Sequence, residues 1–175
     1  MDDIRHPLLR QLYEYWMRKK GARKLPRRRD IDPTELPADL WPHLMLQDVF
    51  VENGVVRFRY RVVGQHFRDQ IGRPVVGTFS DLALAPLGSY ARYVISLFTE
   101  SVLASTPSYS ENLYRPIGQR AMTLTRRIVL PLSEDGESVD KVLSGHVFEH
   151  PPVGSVEFGA GIDAFQEILR RDLPA

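Results

Sequence analysis

The sequence predicts an α+β domain in which five antiparallel strands form one sheet and helices cover one face of it. The first indication is a hairpin signal at Asn53-Gly54, because a two-residue type I′ turn needs positive φ at both positions. After that turn, apolar and basic residues alternate strictly from Val56 to Val62, which is typical of a strand with one buried face. A long helical stripe and three more strand candidates follow, and one sheet with a helical cover accommodates this order.

Composition indicates one globular domain. The chain has 175 residues, of which 43% are hydrophobic, and its formal net charge is +1. This length allows a substantial core, and the near-neutral charge argues against strong overall attraction to nucleic acid or a membrane. The absence of cysteine excludes disulfides, thiolate metal sites and cysteine nucleophiles. The acidic start and the lack of a long apolar run predict a cytoplasmic protein with no signal peptide and no membrane span.

Residues 1–42 are predicted to form an amphipathic helix followed by a strap rich in proline and arginine. The helix is expected over residues 7–20, because Pro7 suits the first helical turn and Gly21 suits the end. Its apolar stripe lies outside the predicted sheet domain. We therefore expect this helix to pack on the outer face of the sheet or on a second subunit, the latter giving a homodimer.

A basic run over residues 18–29 overlaps the end of this helix. One interpretation is a patch that binds nucleic acid or an anionic surface. The other is a solvated linker whose charges pair with nearby acids such as Asp30 and Asp32.

Residues 43–150 are predicted to form the sheet domain, and residues 151–175 a tail. Helices are expected over residues 65–71 and 86–105, and strands after the hairpin over residues 109–115, 120–132 and 139–149. In the tail, apolar residues spaced as on a helix predict a final short helix over residues 162–171.

A candidate ligand site follows from the side chains expected to face inward. Alternation along the fourth strand places Arg126 on the helix-covered face among apolar neighbours, and a buried guanidinium requires an anionic partner. That partner is either a ligand carboxylate or phosphate, or a protein acid such as Asp81. Alternatively, a bulge turns Arg126 outward and puts Arg127 in its place. Further candidates for lining the same cavity, each equally explicable as core, are Tyr60, His66, Phe67, Tyr90 and Tyr93.

A catalytic role is not expected. Residues 146–150 match the HxxEH pattern of inverted zincins, but that chemistry needs both histidines on one helical turn. Here the segment has strand character and prolines follow it, so His146 and His150 would lie about 13 Å apart, too far to share one metal ion.

Specific segments resemble the PAS fold. They are FRYRVVG at residues 58–64 and IGRPVVG at residues 71–77, within the predicted order of elements. Tyr15-Trp16 and LPRRRDIDP at residues 25–33 are similar to those of a bacterial family of single-domain PAS-like proteins. Together these resemblances cover roughly residues 8–150. They imply an intracellular sensory or regulatory binding module that is often dimeric.

Two cofactors that occur in PAS-like domains are not expected here. A cysteine-adduct flavin is not expected without cysteine, and no histidine lies in the long helix to serve as an axial haem ligand. Three possibilities remain for the interior of the domain: a small organic ligand, a non-covalent flavin, or a core filled by side chains. The functional hypothesis is a sensor without a fused output domain, which passes its signal to a separate partner protein. The alternative is a nucleic-acid or anionic-surface binder that uses residues 18–29.

Overall fold

The computed structural model describes residues 4–115, 121–151 and 165–175. Its helices are α1 (Pro7–Lys20), α2 (Gln65–Ile71), α3 (Ser80–Leu84) and α4 (Ser89–Ala104). Its strands are β1 (Leu44–Glu52), β2 (Val55–Val63), β3 (Ser108–Tyr114), β4 (Thr123–Leu132), β5 (Lys141–Glu149) and β6 (Phe165–Asp172). Short 3₁₀ turns lie at Arg28–Asp30, Pro33–Glu35, Ala38–His43 and Ala85–Leu87. None of the helices in these ranges has the length and apolarity needed to cross a bilayer.

The strands form one antiparallel sheet in the order β2-β1-β5-β4-β3-β6. The antiparallel sheet with helices packed on it is confirmed, but the described residues contribute six strands to it rather than the five predicted. The helix predicted over residues 162–171 is wrong, because Phe165–Asp172 form β6 and pair with β3. A short apolar run fits helical and strand periods equally well, and pairing with the available edge of β3 decides the outcome. Residues 162–164 lie outside the described residues.

The predicted hairpin between β1 and β2 is confirmed. Asn53 has a φ of 51° and Gly54 a φ of 79°, as a type I′ turn requires. The predicted helix over residues 65–71 is confirmed as α2, and the long helix as α4. Helix α4 begins at Ser89 rather than Pro86, because Pro86 lies in a 3₁₀ turn and Gly88 adopts a φ of 58°.

One face of the sheet, called here the inner face, packs against α2, α3 and α4. Their shared core contains Phe58, Phe67, Val94, Phe98 and Val129, all of them buried. The edge-to-face pair of Phe58 and Phe98, with ring centroids 5.6 Å apart, joins β2 to α4. This core surrounds the cavity described below.

The opposite, outer face is covered by α1 and the strap, residues 21–43. Trp16 is fully buried there, and its indole nitrogen donates to the carbonyl of Pro131 on β4 at 2.9 Å. Gly145 on β5 permits the close approach, since a Cβ at that position would lie 2.7 Å from Leu9 and 2.9 Å from Leu12. The expectation that α1 packs on the outer face of the sheet is confirmed. Helical segments therefore cover both faces.

Candidate functional site

A cavity of about 200 Å³ lies between the inner face of the sheet and helices α2, α3 and α4. Its walls are mostly apolar and aromatic, and include Phe58, Phe67, Leu84, Val94, Phe98 and Phe148. Polar side chains also reach it, among them Gln47, Tyr60, Ser80, Tyr90, Arg127 and His146. An apolar cavity with a few polar groups is the usual form of a small-molecule site.

Arg127 is the principal charged group of this cavity. It projects from β4 and is only 3% exposed. Its guanidinium hydrogens point to three neutral acceptors: His146 Nδ1 at 3.3 Å, Asn112 Oδ1 at 3.5 Å and the Tyr90 hydroxyl at 3.4 Å. Within the described ranges, no carboxylate pairs with it. A buried cation without a counter-charge is unusual, because desolvation of a charge is costly unless it is paired.

His146 lies beside Arg127 as a neutral acceptor. Burial, the charge of Arg127 and the proximity of His43 hold the pKa of His146 well below its usual value. Because Nδ1 accepts from Arg127, the ring proton is assigned to Nε2, which lies 3.0 Å from Ser144 Oγ and donates to it. His146 therefore adds no negative charge to balance the guanidinium.

Gln47 is the second polar group with unused bonding capacity. It is 2% exposed, and its Nε2 donates to Ser80 Oγ at 2.6 Å. Its Oε1 atom is buried and has no hydrogen-bond partner. Ser80 also hydrogen-bonds to Tyr60, whose pKa burial raises to about 12. Tyr60 therefore remains a neutral hydroxyl at physiological pH.

The model of the PAS domain family matches residues 4–144. This chain belongs to the PAS domain family. Neither the curated proteins nor the solved structures contain a significant match to it. The matched region includes α1 and the strap as well as β1–β4 and α2–α4, and PAS domains are in general sensory or regulatory modules.

Three of the predicted site residues line the cavity of this PAS domain: Tyr60, Phe67 and Tyr90. His66 does not line it; it is exposed, and its Nδ1 lies 3.2 Å from His43 Nδ1. Tyr93 is half-buried beside the cavity, where its hydroxyl donates to Glu167 on β6 at 2.9 Å. Burial and Glu167 raise the pKa of Tyr93.

The position predicted for Arg126 is wrong. It shares a side of β4 with Ile128, as alternation requires, but that side is the outer face covered by α1. There Arg126 pairs with Glu111, at 3.6 Å from Nε to Oε1, and with Glu149. Asp81, the acid named as its alternative partner, instead pairs with Arg57 at 3.0 Å. Regular alternation without a bulge places Arg127 on the inner face.

Sequence reasoning overlooked Gln47 and Ser80 as site residues, considered Arg127 only as an alternative, and considered His146 only as a metal ligand. A usable signal existed for Gln47, a polar residue inside the apolar run of β1. The strand character predicted around His146 is confirmed. Its orientation toward Phe67 and Phe98, with ring centroids 5.7 Å and 6.1 Å away, needs the tertiary structure.

Two basic side chains of the run over residues 18–29 form close ion pairs with nearby acids. Lys19 contacts Glu35 at 2.7 Å, and Arg23 contacts Asp30 at 2.8 Å. Asp32 serves a different purpose, since its carboxylate accepts from the backbone nitrogen of Thr34 at 2.9 Å and caps a 3₁₀ turn. These contacts agree with the interpretation of a linker whose charges pair with nearby acids.

Proposed function

We propose that this PAS domain is a sensory or regulatory module that binds a small organic molecule in its inner-face cavity and acts by binding rather than catalysis. The observation that carries the proposal is the presence of buried polar groups that are incompletely partnered within an otherwise apolar cavity. Gln47 Oε1 has no partner, and Arg127 has neutral partners alone among the described residues. Buried polar groups in folded proteins are nearly always satisfied. A bound molecule supplies what the surrounding side chains do not.

The size of the cavity supports a small ligand. A buried apolar cavity of about 150 Å³ accommodates benzene, so the roughly 200 Å³ here fits a molecule slightly larger than one aromatic ring. Phe67, Phe98 and Phe148 provide aromatic contact surface. A full flavin ring system would require further opening of the cavity.

Release of a retained molecule tests this proposal. Purified protein is denatured, and the supernatant is compared with that of native protein by mass spectrometry. If the ligand is lost during purification, ligand-observed NMR with a library of fragments detects binding to the emptied cavity. We expect one released or bound species of fragment size.

Two variants provide the control for this test. Val94→Phe fills the cavity from α4 and should abolish binding, while Val76→Phe adds the same ring at an exposed position outside the cavity and should not. Ile95→Phe, from another lining position, replaces Val94→Phe if overpacking prevents folding. Circular dichroism verifies the fold of each. A folded wild-type protein that releases nothing and binds no fragment would contradict the proposal.

We further propose that the signal leaves through protein contacts, with a homodimer and a separate partner protein. Exposed apolar side chains support this: Val51 and Val55 flank the hairpin turn, and Val62 lies on edge strand β2. Helix α1 does not supply this surface, since its apolar stripe is buried on the outer face of the sheet. Multi-angle light scattering should detect a dimer that Val55→Lys weakens. A monomer at all concentrations, with and without a bound fragment, would refute the homodimer.

A further inference from the structure

We infer that the ligand is a small monocarboxylate, with an apolar body about the size of a phenyl ring, whose carboxylate binds Arg127 and the Tyr90 hydroxyl. This inference rests on the proposed function, because it names the chemical class that the same cavity would select. Three independent features of the cavity carry it: the uncompensated charge, the geometry of the free donors and the character of the walls.

The charge is the first feature. Arginine stays protonated at every physiological pH, so Arg127 cannot escape its burial by losing a proton. Among the cavity-lining residues that the structure describes, the other titratable side chains are tyrosines and histidines, and neither Asp nor Glu occurs. Among the described lining residues, one positive charge is therefore left without a counter-charge. A singly charged anion restores neutrality, whereas a doubly charged phosphate would leave an excess negative charge in an apolar site.

The donors are the second feature. A guanidinium has five N–H hydrogens, and three of those of Arg127 point to His146, Asn112 and Tyr90. The contacts to Asn112 and Tyr90, at 3.5 and 3.4 Å, are at the long end of the hydrogen-bond range. A carboxylate matches the planar guanidinium and forms two parallel hydrogen bonds with it. Because the present contacts of Arg127 to Asn112 and Tyr90 are long, its guanidinium can form shorter and stronger hydrogen bonds to such an anionic acceptor.

The Tyr90 hydroxyl adds a donor at the same place. Its oxygen already accepts from Asn112 Nδ2 at 2.8 Å and from Arg127. A tyrosine hydroxyl both accepts and donates, so its own proton is directed to another acceptor. A carboxylate bound by Arg127 provides such an acceptor. Arg127 and the Tyr90 hydroxyl together then form a group of donors that favours an anion over a neutral amide.

The walls are the third feature. Tyr90 stacks on Tyr114, with centroids 4.1 Å apart and planes 9° from parallel, which presents flat aromatic surface next to the charged group. Phe67 and Phe98 line other parts of the same space. With a volume of about 200 Å³, the cavity suits one ring or a short acyl chain together with its carboxylate.

The test compares acids with their neutral isosteres. Benzoate, phenylacetate and hexanoate are titrated into the full chain by isothermal calorimetry, alongside benzamide, phenylacetamide, hexanamide and inorganic phosphate. At least one acid should bind tenfold or more tightly than its amide and more tightly than phosphate. In Arg127→Met this preference should disappear. Arg127→Lys keeps the charge without the planar fork and should retain part of it, and Arg92→Met, at an exposed position of α4, should leave it unchanged.

Stability of the unliganded variants provides a second measurement. Arg127→Met removes a buried charge that has no acid partner among the described residues, but it also removes the donor to His146, Asn112 and Tyr90. The decrease in melting temperature that it causes should therefore not shrink as the pH is lowered. A decrease that is recovered at low pH, where a stranded carboxylate would take up a proton, would mean that a protein acid pairs with Arg127, and would overturn the inference. Should Arg127→Met not fold, the acid–amide comparison on the wild type and on Arg127→Lys decides the question.

Failure of this inference is distinguishable from failure of the proposed function. Equal binding of acids and amides, tighter binding of phosphate, or no binding of any acid would overturn the monocarboxylate assignment. A neutral molecule released on denaturation, and lost in Val94→Phe, would still support a ligand-binding cavity. Absence of both would remove the proposed function as well.

Discussion

Arg126 and Glu111 form an ion pair beneath α1 whose removal should weaken the fold without affecting a ligand in the cavity. Glu111 is 2% exposed, while the side chain of Arg126 is 20% exposed. Their closest atoms are 3.6 Å apart, beyond hydrogen-bond distance, so the interaction is ionic rather than a hydrogen bond. Replacing Arg126 with alanine leaves a buried carboxylate with one cation fewer.

The magnitude follows from what remains around Glu111. Removing one partner of a fully buried pair costs about 3–5 kcal/mol. Here Tyr109 still donates to Glu111 at 2.7 Å, and Arg5 still lies 3.4 Å away. Because these contacts persist and Arg126 is partly solvated, we expect Arg126→Ala to lower the free energy of unfolding by about 2–3 kcal/mol. For a chain of this length, that corresponds to a decrease in melting temperature of about 4–12 °C.

A double-mutant cycle provides the assay. Urea denaturation monitored by circular dichroism is carried out on Arg126→Ala, Glu111→Gln and the double variant. Since the glutamine has no charge to leave unpaired, the double variant should be less destabilised than the sum of the two single changes. An effect of Arg126→Ala within about 0.5 kcal/mol would refute this reasoning. Loss of ligand binding by a fully stable Arg126→Ala would instead return Arg126 to the ligand site.

Three further predictions concern packing, pH and the hairpin. Trp16→Ala should lower the free energy of unfolding by about 3–5 kcal/mol, because Trp16 is fully buried. The control Trp41→Ala, at a position 48% exposed, should lower it by less than about 1 kcal/mol. Urea denaturation of both variants measures the difference. Burial keeps the pKa of His146 in the folded protein below its usual value. Below about pH 6.5, His146 therefore binds a proton in the unfolded chain but not in the folded protein, so the free energy of unfolding falls as the pH decreases. His146→Asn should reduce that slope between pH 7 and 5 by up to about 1.4 kcal/mol per pH unit, and an unchanged slope would contradict a neutral His146. Gly54→Ala should cost about 1–2 kcal/mol in thermal unfolding, because Gly54 has a φ of 79°.

Local signals allowed the sequence to predict most of the elements. The bounds of α1 and α2 follow from Pro7, Gly21 and Gly72, which act through their own backbone preferences. The hairpin follows from Asn53-Gly54 in the same way. Such signals depend on a residue and its neighbours alone, so they can be recognised without knowledge of the fold.

Strand β6 could not be predicted in this way. Its residues are mostly exposed, so the strand has no strong apolar alternation by which to identify it. It is a strand because β3 offers a complementary edge, with Ser108 opposite Asp172 and Tyr114 opposite Phe165. That edge lies more than fifty residues away in sequence, and only the tertiary structure brings the two segments together.

The candidate site was half predictable for a related reason. Tyr60, Phe67 and Tyr90 were predicted from the apolar faces of β2, α2 and α4, and they line the cavity. Alternation also correctly placed Arg126 with Ile128. Alternation alone does not show whether that side of β4 faces α1 or α4, because both helices have apolar stripes that can pack on the sheet. Both faces of β4 are buried, so apolar content did not distinguish inner from outer.

Arg126 and Arg127 illustrate how strongly that one choice determines chemistry. The two residues are identical and adjacent, and both have largely buried side chains on the same strand. A shift of one residue exchanges the faces of a strand, so it would exchange their surroundings. Arg126 meets Glu111 and Glu149, and its charge is balanced by the protein. Arg127 meets neutral groups among the described residues, next to a cavity. Partners on the neighbouring strands, rather than the type of side chain, therefore separate a structural arginine from one available to bind an anion.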